Sequence, residues 1–480
     1  MKVLVLNPVS RVSKNVIRDV LYGCWCSGKR IGGGTVPPFG LLQVATVLRN
    51  DGQDVTFLDA QAEQLSHDQV NNMARGMDTV VISTSTMTFL EDANMLLGLK
   101  ETNPGLKTLA FGSHPTFMPK YTLAHKGVDI AVRHEPEFIT RDLHREMRTG
   151  GEWKQVAGIA FVENGGVRIN PDYPLYDLNE LPFPDVTMLP KGIHYFNPLV
   201  RRLPYITTTT SKGCPAKCTF CTAPYFDGMR TRFQLADYVV REIEYFLQQG
   251  YREVYFRDDT FFVHKKRDTE ICRQILERKL DVSWIANARV SMIDKEMMEL
   301  ARAAGCHTLK LGVESGVQEI LDRARKGYKV EQAYDVFRWA KEVGLHTHAH
   351  VMVGMPGDNQ ETVNRTIQFV KELNPTTATF GACTPYPGTP LFDEVAAAHP
   401  EIQDGSASSL HKLHVEGIFN EIYADLTKEQ LKKSIRRAYR EFYLRPSYFC
   451  DSLRQLHGVD DVKRLSIAAT NVLDFALFGG

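Results

Sequence analysis

Three cysteines crowded into one short segment are the residues with the clearest capacity for chemistry. The segment KGCPAKCTFC spaces Cys214, Cys218 and Cys221 as C-x₃-C-x₂-C, directly after a threonine-rich run that is typical of a strand. Three thiolates in one loop can bind three irons of a cubane cluster, and the fourth iron then has no protein ligand. An open position on a metal is where a small molecule can coordinate. The pattern predicts a 4Fe–4S cluster held by these three cysteines.

Zinc or simple packing is the alternative for these cysteines. Structural zinc usually takes two separated C-x₂-C or Cys/His pairs, and the chain shows no matching second pair. The spacing therefore favours the iron–sulfur cluster.

Polar residues follow several of the strand-like segments downstream of the cysteines. YFRDDTF contains Asp258 and Asp259, Arg289 follows VSWIANA, and GVESG contains Glu314 and Ser315. Each alone is weak, because a charged residue at a strand end is usually just solvated. Because the carboxyl ends of barrel strands meet on one face, we expect these side chains to converge near the cysteines.

Two series of alternating elements position these residues. Strand-like and helical segments alternate about every 25 residues over 1–149, which is typical of an α/β, doubly wound (Rossmann-like) parallel sheet. Residues 204–399 contain six further strand-like segments with intervening helices, which predicts a partial (β/α)₆ barrel.

Two segments lie outside these series. Residues 150–203 are rich in proline and contain a hairpin pattern that turns at Asn164-Gly165. We interpret them as a linker and strap between two domains. Residues 400–480 have helical patterns and form a predicted C-terminal helical region.

The composition excludes several classes of protein. Lys plus Arg and Asp plus Glu both number 57, so bulk charge predicts no nucleic-acid partner. The chain has no apolar run of transmembrane length and no signal-peptide pattern at its start. Crowded cysteines in such a chain favour a cytoplasmic metal or redox site over disulfides.

The cysteine motif resembles that of the radical S-adenosylmethionine (SAM) superfamily, and Phe220 matches the aromatic residue usual before its third cysteine. The resemblance implies that the open iron binds SAM and that reduction yields a 5′-deoxyadenosyl radical. It places Asp258 and Asp259 near the SAM amino group, Arg289 near its carboxylate, and Glu314 and Ser315 near its ribose or methionine portion.

The first domain resembles the cobalamin (B12)-binding domain that precedes many radical SAM barrels. STSTMTF, with Ser83 and Ser85, is similar to the loop beside the cobalamin nucleotide tail, and FGSH, with Gly112 and His114, is similar to another element of that pocket. The D-x-H-x-x-G motif of cobalamin mutases is absent, because DAQAEQL keeps Asp59 but has no histidine. The alternative is a domain that keeps the fold and binds nothing.

The resemblance implies an enzyme with a 4Fe–4S cluster, SAM and cobalamin, which methylates an unactivated carbon of a small-molecule or lipid substrate. It also implies a reductant such as flavodoxin or ferredoxin. One alternative is a radical SAM cyclase, carbon–carbon coupling or lipid or tetrapyrrole tailoring enzyme without methyl transfer. Another is a non-catalytic cobalamin or redox sensor, which would not need the polar strand ends.

Three further patterns have simple explanations as well as functional ones. Cys24 and Cys26 are expected to be reduced surface thiols, and HTHAH places His346, His348 and His350 on one face of a strand, where lining or packing is favoured over a metal site. The basic helix near 428–445 is expected to be a solvated face, which leaves peripheral contact with an anionic membrane open.

Overall fold

The computed structural model describes residues 1–10, 13–14, 16–18, 28–29, 34–193, 195–403, 419–448, 466–467, 469–472 and 474–476. Cys24, Cys26 and Cys450 lie outside the described residues.

The first half of the chain forms a seven-stranded sheet. Its seven strands are β1 (Lys2–Asn7), β4 (Asp54–Asp59), β5 (Thr79–Ser83), β6 (Lys107–Phe111), β7 (Ile130–Val132), β8 (Ile159–Glu163) and β9 (Gly166–Ile169), and the short strands β2 (Ser13–Lys14) and β3 (Gly28–Lys29) lie outside it. The sheet order is β4-β1-β5-β6-β7-β8-β9, and β2 pairs separately with β3. The strands are parallel from β4 to β7, with Val3 opposite both Val55 and Thr79.

Helices cover both faces of this sheet, which makes it doubly wound as predicted. They are α1 (Phe39–Asn50), α2 (His67–Ala74), α3 (Phe89–Thr102), α4 (Ser113–Phe117), α5 (Pro119–Ala124) and α6 (Pro136–Thr149). One core packs α1 and α6 on one face through Leu41, Leu48 and Leu143, and a second core packs α2 and α3 on the other through Val70 and Leu96. The apolar β1 run KVLVLN is buried between them because both faces of a parallel sheet are covered.

The hairpin predicted at Asn164-Gly165 is present as β8 and β9, and both turn residues have positive φ. β8 pairs antiparallel with β7, so the hairpin extends the first sheet into the 150–203 segment. The rest of that segment contains short 3₁₀ turns, at Leu178–Glu180 and Val186–Met188, after one at Trp153–Gln155. Tyr195 ties it to the first sheet, because its hydroxyl donates to Asp59 Oδ2 at 2.8 Å.

The second half forms a six-stranded parallel sheet in simple chain order. Its strands are β10 (Tyr205–Thr208), β13 (Glu253–Phe256), β14 (Ser283–Ala288), β15 (Cys306–Glu314), β16 (His346–Val353) and β17 (Thr377–Ala382); β11 (Ser211–Lys212) and β12 (Arg232–Phe233) pair beside it. Helices alternate with these strands: α7 (Ala223–Phe226), α8 (Ala236–Gln248), α9 (Lys265–Glu277), α10 (Lys295–Ala303), α11 (Gln318–Arg323), α12 (Val330–Val343), α13 (Gln360–Leu373) and α14 (Pro390–Ala398). This is the open (β/α)₆ arrangement that the sequence predicts. 3₁₀ turns lie at Val290–Met292 and Pro400–Ile402.

The last strand of this sheet is covered by C-terminal helix. A short helix, Asn420–Tyr423, precedes the helix Lys428–Tyr443. Tyr443 donates its hydroxyl to the backbone oxygen of Ala378 at 2.7 Å, and Tyr439 accepts from the Phe380 N–H at 3.3 Å. These bonds satisfy part of the β17 edge, which would otherwise be exposed. Helical residues also occur within 466–476.

Candidate active site between the two sheets

A cavity of about 220 Å³ lies where the carboxyl ends of the barrel strands face the first domain. The cysteine loop lines it with Cys214, Cys218, Phe220 and Cys221. The strand ends add Asp259, Arg289 and Glu314, the strands themselves add Asn287, Lys310 and His350, and the first domain adds Ser85, Thr86 and Ser113. The predicted meeting of strand-end residues with the cysteines is therefore present in one cavity.

The cysteine loop is held from several sides. The Cys214 N–H donates to the backbone oxygen of Gly228 at 3.1 Å, and the Thr219 N–H donates to that of Ala324 at 3.1 Å. Cys214 and Cys218 are buried, and Cys221 is half-buried. Burial raises the pKa of the Cys214 and Cys221 thiols, so a metal that binds them there must displace protons.

Gly213 explains why a glycine precedes the first cysteine. Its φ is +90°, and a Cβ at this position would lie 2.7 Å from the Arg230 oxygen and 2.8 Å from the Gly228 oxygen. A side chain at residue 213 would therefore push the cysteine loop away from this neighbouring backbone.

A chain of charged contacts runs from the cysteines to Glu314. Arg289 Nη1 lies 3.5 Å from Cys218 Sγ, and Nη2 donates to the backbone oxygen of Lys326 at 2.5 Å. Lys326 Nζ then pairs with Glu314 Oε1 at 2.6 Å. Nε of Arg289 is buried with no hydrogen-bond partner in the described part of the chain. An unsatisfied guanidinium N–H beside a cavity suits an anionic ligand.

The backbone of β15 bends to place Glu314. The pairing of β15 with β16 shifts register between Gly312 and Glu314, and Glu314 has a φ of 66°. A Cβ on Gly312 would lie 2.5 Å from Glu314 Oε1 and 2.8 Å from Lys326 Nζ. Glycine at 312 thus leaves the space that the Glu314–Lys326 pair fills.

The two adjacent aspartates face different surroundings. Asp259 lines the cavity, whereas Asp258 is fully buried behind it. Asp258 Oδ1 accepts from the Thr210 N–H at 3.0 Å, the Thr210 hydroxyl at 2.8 Å and the Ser211 hydroxyl at 2.5 Å. Ser315 is also buried and shares a 3.1 Å hydrogen bond with Thr366. Asp258 and Ser315 therefore support the strand ends, while Asp259 and Glu314 face the cavity.

The first-domain residues predicted to bind cobalamin also divide into one that faces the cavity and others that are buried behind it. Ser85 lines the cavity, and Ser83 donates to the backbone oxygen of Arg18 at 2.7 Å. Gly112 has a φ of +116°, and a Cβ there would lie 2.3 Å from the Thr84 oxygen. Ser83 and Gly112 therefore hold two loops together next to the cavity wall.

His114 is buried beside this wall, and its ring stacks on Phe89 with centroids 4.4 Å apart. Burial lowers its pKa to about 3. Nδ1 lies 3.3 Å from the Thr86 hydroxyl, and Nε2 has no hydrogen-bond partner among the residues described. His114 does not line the cavity itself but contacts Thr86, which does.

Gln61 stands where D-x-H-x-x-G would place histidine. Its side chain accepts from the Val16 N–H at 2.8 Å and donates to the Val16 oxygen at 3.1 Å. Asp59 accepts from Asn7 at 2.8 Å and from Tyr195. Both side chains are thus engaged within the protein, and this loop offers no imidazole to a cobalt.

The sequence reasoning missed Lys326, Lys310 and Ser113. Lys326 reaches the cavity because the chain reverses at Arg325 and Gly327, with φ of 52° and 74°, between α11 and α12. The local sequence signal for this turn is Gly327, which follows the basic residues Arg325 and Lys326. Lys310 lies in the middle of β15, outside any motif, whereas Ser113 opens α4 within FGSH, the element for which only Gly112 and His114 were predicted to bind.

Within the described residues, no group of three or more His, Cys, Asp or Glu is arranged to hold a single metal ion. His346 lies 2.6 Å from an Arg201 nitrogen, while His348 and His350 contact Thr377 and Thr379 at 2.7 and 3.0 Å. In the part of the chain described, no helix is both long and apolar enough to cross a membrane.

Comparisons with known proteins identify both halves of the chain. Residues 208–370 match the family model of the radical SAM superfamily, and residues 32–143 match that of the B12 binding domain. An uncharacterized methyltransferase of Pyrococcus horikoshii is 31% identical over 435 residues, which cover 90% of this chain and 93% of the relative. The chain therefore belongs to the radical SAM enzymes that carry a B12-binding domain.

Two further comparisons extend this finding. The anaerobic magnesium-protoporphyrin IX monomethyl ester cyclase of Rubrivivax gelatinosus is 30% identical, over 75% of this chain and 67% of the cyclase. The radical SAM methyltransferase TsrM from Kitasatospora setae, solved with cobalamin and a [4Fe-4S] cluster, has the same fold, with a TM-score of 0.71, 17% identity and 99% coverage of both chains. The predicted family and fold class are confirmed.

The residues fit the cofactors of this family. Three reduced cysteines around one cavity suit the cluster, with Arg289 and Glu314 beside them for SAM. A polar wall faces the cysteine loop across the cavity and is formed by Ser85, Thr86 and the loop held by Gly112. These residues lie within the part of the chain that matches the B12 binding domain. The roles of the individual residues stay predictions.

Proposed function

We propose that this chain is a cobalamin-dependent radical SAM methyltransferase that methylates an unactivated carbon. The observation that carries the proposal is the shared cavity, which the cysteine loop borders on the barrel side and Ser85, Thr86 and Ser113 border on the first-domain side. A substrate in this cavity would be within reach of groups bound on both sides. The methyltransferase name of the Pyrococcus relative supports the same reaction.

When bound, the cluster and SAM supply a radical that removes a hydrogen atom, and cobalamin supplies the methyl group. The protein binds, orients and shields these groups. Cys214, Cys218 and Cys221 are the proposed cluster ligands, and Asp259, Arg289 and Glu314 are the proposed SAM contacts. Burial of the cysteine loop between the two halves would limit access of bulk water to the bound groups.

Ion pairs keep the two halves in register at this cavity. Lys212, two residues before Cys214, donates from Nζ to Glu137 at 2.8 Å and lies 3.4 Å from Glu135. Arg232 on the neighbouring strand also pairs with Glu135. Since Glu135 and Glu137 start α6 of the first domain, the cysteine loop is positioned against that domain.

Radical ring formation without methyl transfer is the second candidate, and the 30% identity to the Rubrivivax cyclase favours it. The cavity suits either reaction, because both need a positioned cluster and SAM. Retention of cobalamin and formation of S-adenosylhomocysteine distinguish methyl transfer from ring formation.

The test begins with anaerobic reconstitution of the cluster in the full chain, followed by hydroxocobalamin and removal of the excess. SAM and a reductant are then added, and 5′-deoxyadenosine and S-adenosylhomocysteine are quantified. A methyltransferase should retain cobalamin and form both products. Deoxyadenosine alone, with no retained cobalamin, would favour ring formation.

Two cysteine variants provide the matched control. Cys218→Ala removes a proposed cluster ligand and should abolish deoxyadenosine formation. Cys272→Ala changes a buried cysteine of α9 that does not line the cavity and should leave both products unchanged. Neither product from wild type with an intact cluster, or equal activity in Cys218→Ala, would overturn the proposal.

The remaining expectations stand as proposals of the same kind. They are a flavodoxin or ferredoxin reductant, a cytoplasmic location, and domain limits of 1–149, 150–203, 204–399 and 400–480. Asp258, Ser315, Ser83, Gly112 and His114 are proposed to support the cofactor sites from behind the cavity wall.

A further inference from the structure

A short C-terminal segment contacts the carboxyl ends of the last two barrel strands. We call residues 420–425 the clasp. They include the helix Asn420–Tyr423 and lie beyond residue 370, where the match to the radical SAM superfamily ends. Asn420 is completely buried, and Tyr423 is 7% exposed. The clasp is therefore packed into the barrel and is not a surface appendage.

Asn420 joins two loops that leave neighbouring strands. Its Nδ2 donates to the backbone oxygen of Gly354, after β16, at 3.0 Å and to that of Cys383, after β17, at 3.2 Å. The Tyr423 hydroxyl donates to the same Cys383 oxygen at 2.9 Å. Gly354 has a φ of +77°, and a Cβ there would lie 2.8 Å from Asn420 Nδ2. Glycine at 354 thus lets one amide approach and join both strand ends.

The backbone of the clasp closes the loop after β16. The Gly357 N–H donates to the Tyr423 oxygen at 2.7 Å, and the Asp425 N–H donates to the Asp358 oxygen at 2.7 Å. This loop is therefore held by the clasp through backbone bonds as well as through the Asn420 side chain.

The carboxamide of Asn420 is used for its two N–H groups. Its Oδ1 is buried with no hydrogen-bond partner in the part of the chain described. A buried amide oxygen without a partner lowers stability, so a side chain that only filled this space would be better apolar. The two donated bonds are what distinguish Asn420 from an apolar residue of similar size.

The strand ends that the clasp holds form one side of the cavity. Val351 and Met352 of β16 line it, as do Gly381 and Ala382 of β17. Val351 pairs with Glu314 in the register of β15 and β16. A ligand that contacts Glu314 therefore borders the wall that the clasp holds from behind.

The segment after β17 also reaches the cysteine loop. The Leu391 N–H, near the start of α14, donates to the Thr219 oxygen at 3.0 Å. One apolar cluster contains Cys383, Tyr423 and Leu391, and Phe220 of the cysteine loop packs against it. A shift of Cys383 would therefore change the packing beside the cluster cysteines.

We infer that Asn420 is a positioning residue for SAM, because it holds the cavity-lining ends of β16 and β17 at a fixed separation. Asn420 does not line the cavity itself and acts through the residues that do. A wall that already has its ligand-binding shape costs less to order when the ligand arrives. The inference rests on the proposed function, since it takes SAM as the ligand that contacts Glu314.

The test compares two buried asparagines in the full chain with its cluster reconstituted anaerobically. Asn420→Ala removes both bonds of the clasp amide. Asn170→Ala is the matched control, since Asn170 Nδ2 also donates to two backbone oxygens, those of Lys154 at 2.9 Å and Val156 at 2.7 Å, and Asn170 does not line the cavity. Both variants should lower the free energy of unfolding in denaturant.

Only Asn420→Ala should change the affinity for SAM. Calorimetric titration should show a dissociation constant raised roughly tenfold, and the KM for SAM in deoxyadenosine formation should rise by a similar factor. The rate at saturating SAM should change by less than about twofold, because no contact to reacting atoms is lost. Asn420→Ser keeps one donor and should give an intermediate dissociation constant.

Three results would overturn the inference. They are an unchanged dissociation constant in folded Asn420→Ala, an equal rise in Asn170→Ala, and a lower saturating rate with an unchanged KM. If Asn420→Ala does not unfold cooperatively, two milder variants decide by the same measurements. These are Asn420→Ser and Tyr423→Phe, which removes one bond to the Cys383 oxygen.

The same samples separate this inference from the proposed function. SAM binding that weakens in Asn420→Ala, without deoxyadenosine formation by wild type, would contradict only the proposed function. Deoxyadenosine formation by wild type, with unchanged SAM binding in Asn420→Ala, would contradict only the role of Asn420.

Discussion

The two walls of the cavity differ in how they use charge. The barrel wall presents thiols, Asp259 and Arg289 to the cavity, whereas the first-domain wall presents the neutral residues Ser85, Thr86 and Ser113. Charge on the first-domain side lies behind the wall, where Arg18 Nη2 pairs with Asp92 Oδ1 at 2.8 Å. The barrel wall therefore exposes charge to the cavity, whereas the first-domain wall keeps its charge buried behind neutral hydroxyls.

The local hydrogen bonds explain this difference. In the first domain, Thr84 donates to Asp92 at 2.7 Å, and Ser85 lies 3.2 Å from the Thr88 hydroxyl, so the hydroxyls near the cavity are engaged with one another. In the barrel, Arg289 keeps a buried Nε without a hydrogen-bond partner in the described chain. Variants behind the first-domain wall should mainly lower the free energy of unfolding. Variants of cavity-facing residues of the barrel wall should mainly change the affinity for ligands.

Asp92→Asn should give the largest effect. It leaves Arg18 charged and buried, with both side chains at most 2% exposed in wild type, and should lower the free energy of unfolding by about 3–5 kcal/mol. Denaturant unfolding measures this. Asp129→Asn removes the partly exposed pair with Lys100 and should cost less than about 1 kcal/mol. Equal losses would contradict the view that the buried Arg18–Asp92 pair stabilises the first-domain wall from behind.

The adjacent aspartates sharpen the comparison within the barrel. Asp258→Ala leaves Thr210 and Ser211 donors unsatisfied and should lower the free energy of unfolding by about 3 kcal/mol. Asp259→Asn removes a cavity-facing charge and should weaken SAM binding roughly tenfold while unfolding changes little. Calorimetric titration with SAM and denaturant unfolding measure both variants. Loss of SAM binding in folded Asp258→Ala alone would reverse these roles.

A pH titration gives the smallest expected effect. His114 has a folded pKa of about 3 against an ordinary value of 6.5, so between these values the unfolded chain binds the proton and the folded chain does not. Its contribution is therefore fully present above pH 6.5 and falls as the pH decreases towards 3, by at most about 1.4 kcal/mol per pH unit.

His114→Phe should flatten the dependence of unfolding free energy on pH by that amount, measured by denaturant unfolding between pH 5 and 6.5 (roughly the upper half of the interval). Phe89→Leu removes the stacked ring but keeps the histidine, and it should keep the slope. An unchanged slope in His114→Phe would mean that folding does not lower the pKa of this imidazole.

Much of the cluster site could be predicted because its three cysteines are close together in the sequence. The C-x₃-C-x₂-C spacing lies within one loop, and glycine at 213 is required by the φ of +90° there. Parallel strands place their carboxyl ends together, so Asp259, Arg289 and Glu314 were expected near the cysteines and line the same cavity. Lys326 was not predicted, because only the reversal at Arg325 and Gly327 brings it back to Glu314.

The sequence by itself determines the order of strands and helices, the two sheet types and the cysteine loop, because periodicity and spacing are properties of neighbouring residues. The tertiary structure alone decides which of two adjacent aspartates faces the cavity, since a small rotation at a strand end exchanges them. It also decides that Lys310 is buried beside Tyr255, because that contact joins strands 55 residues apart in the chain. The packing inside the barrel depends on such distant contacts, which no local pattern encodes.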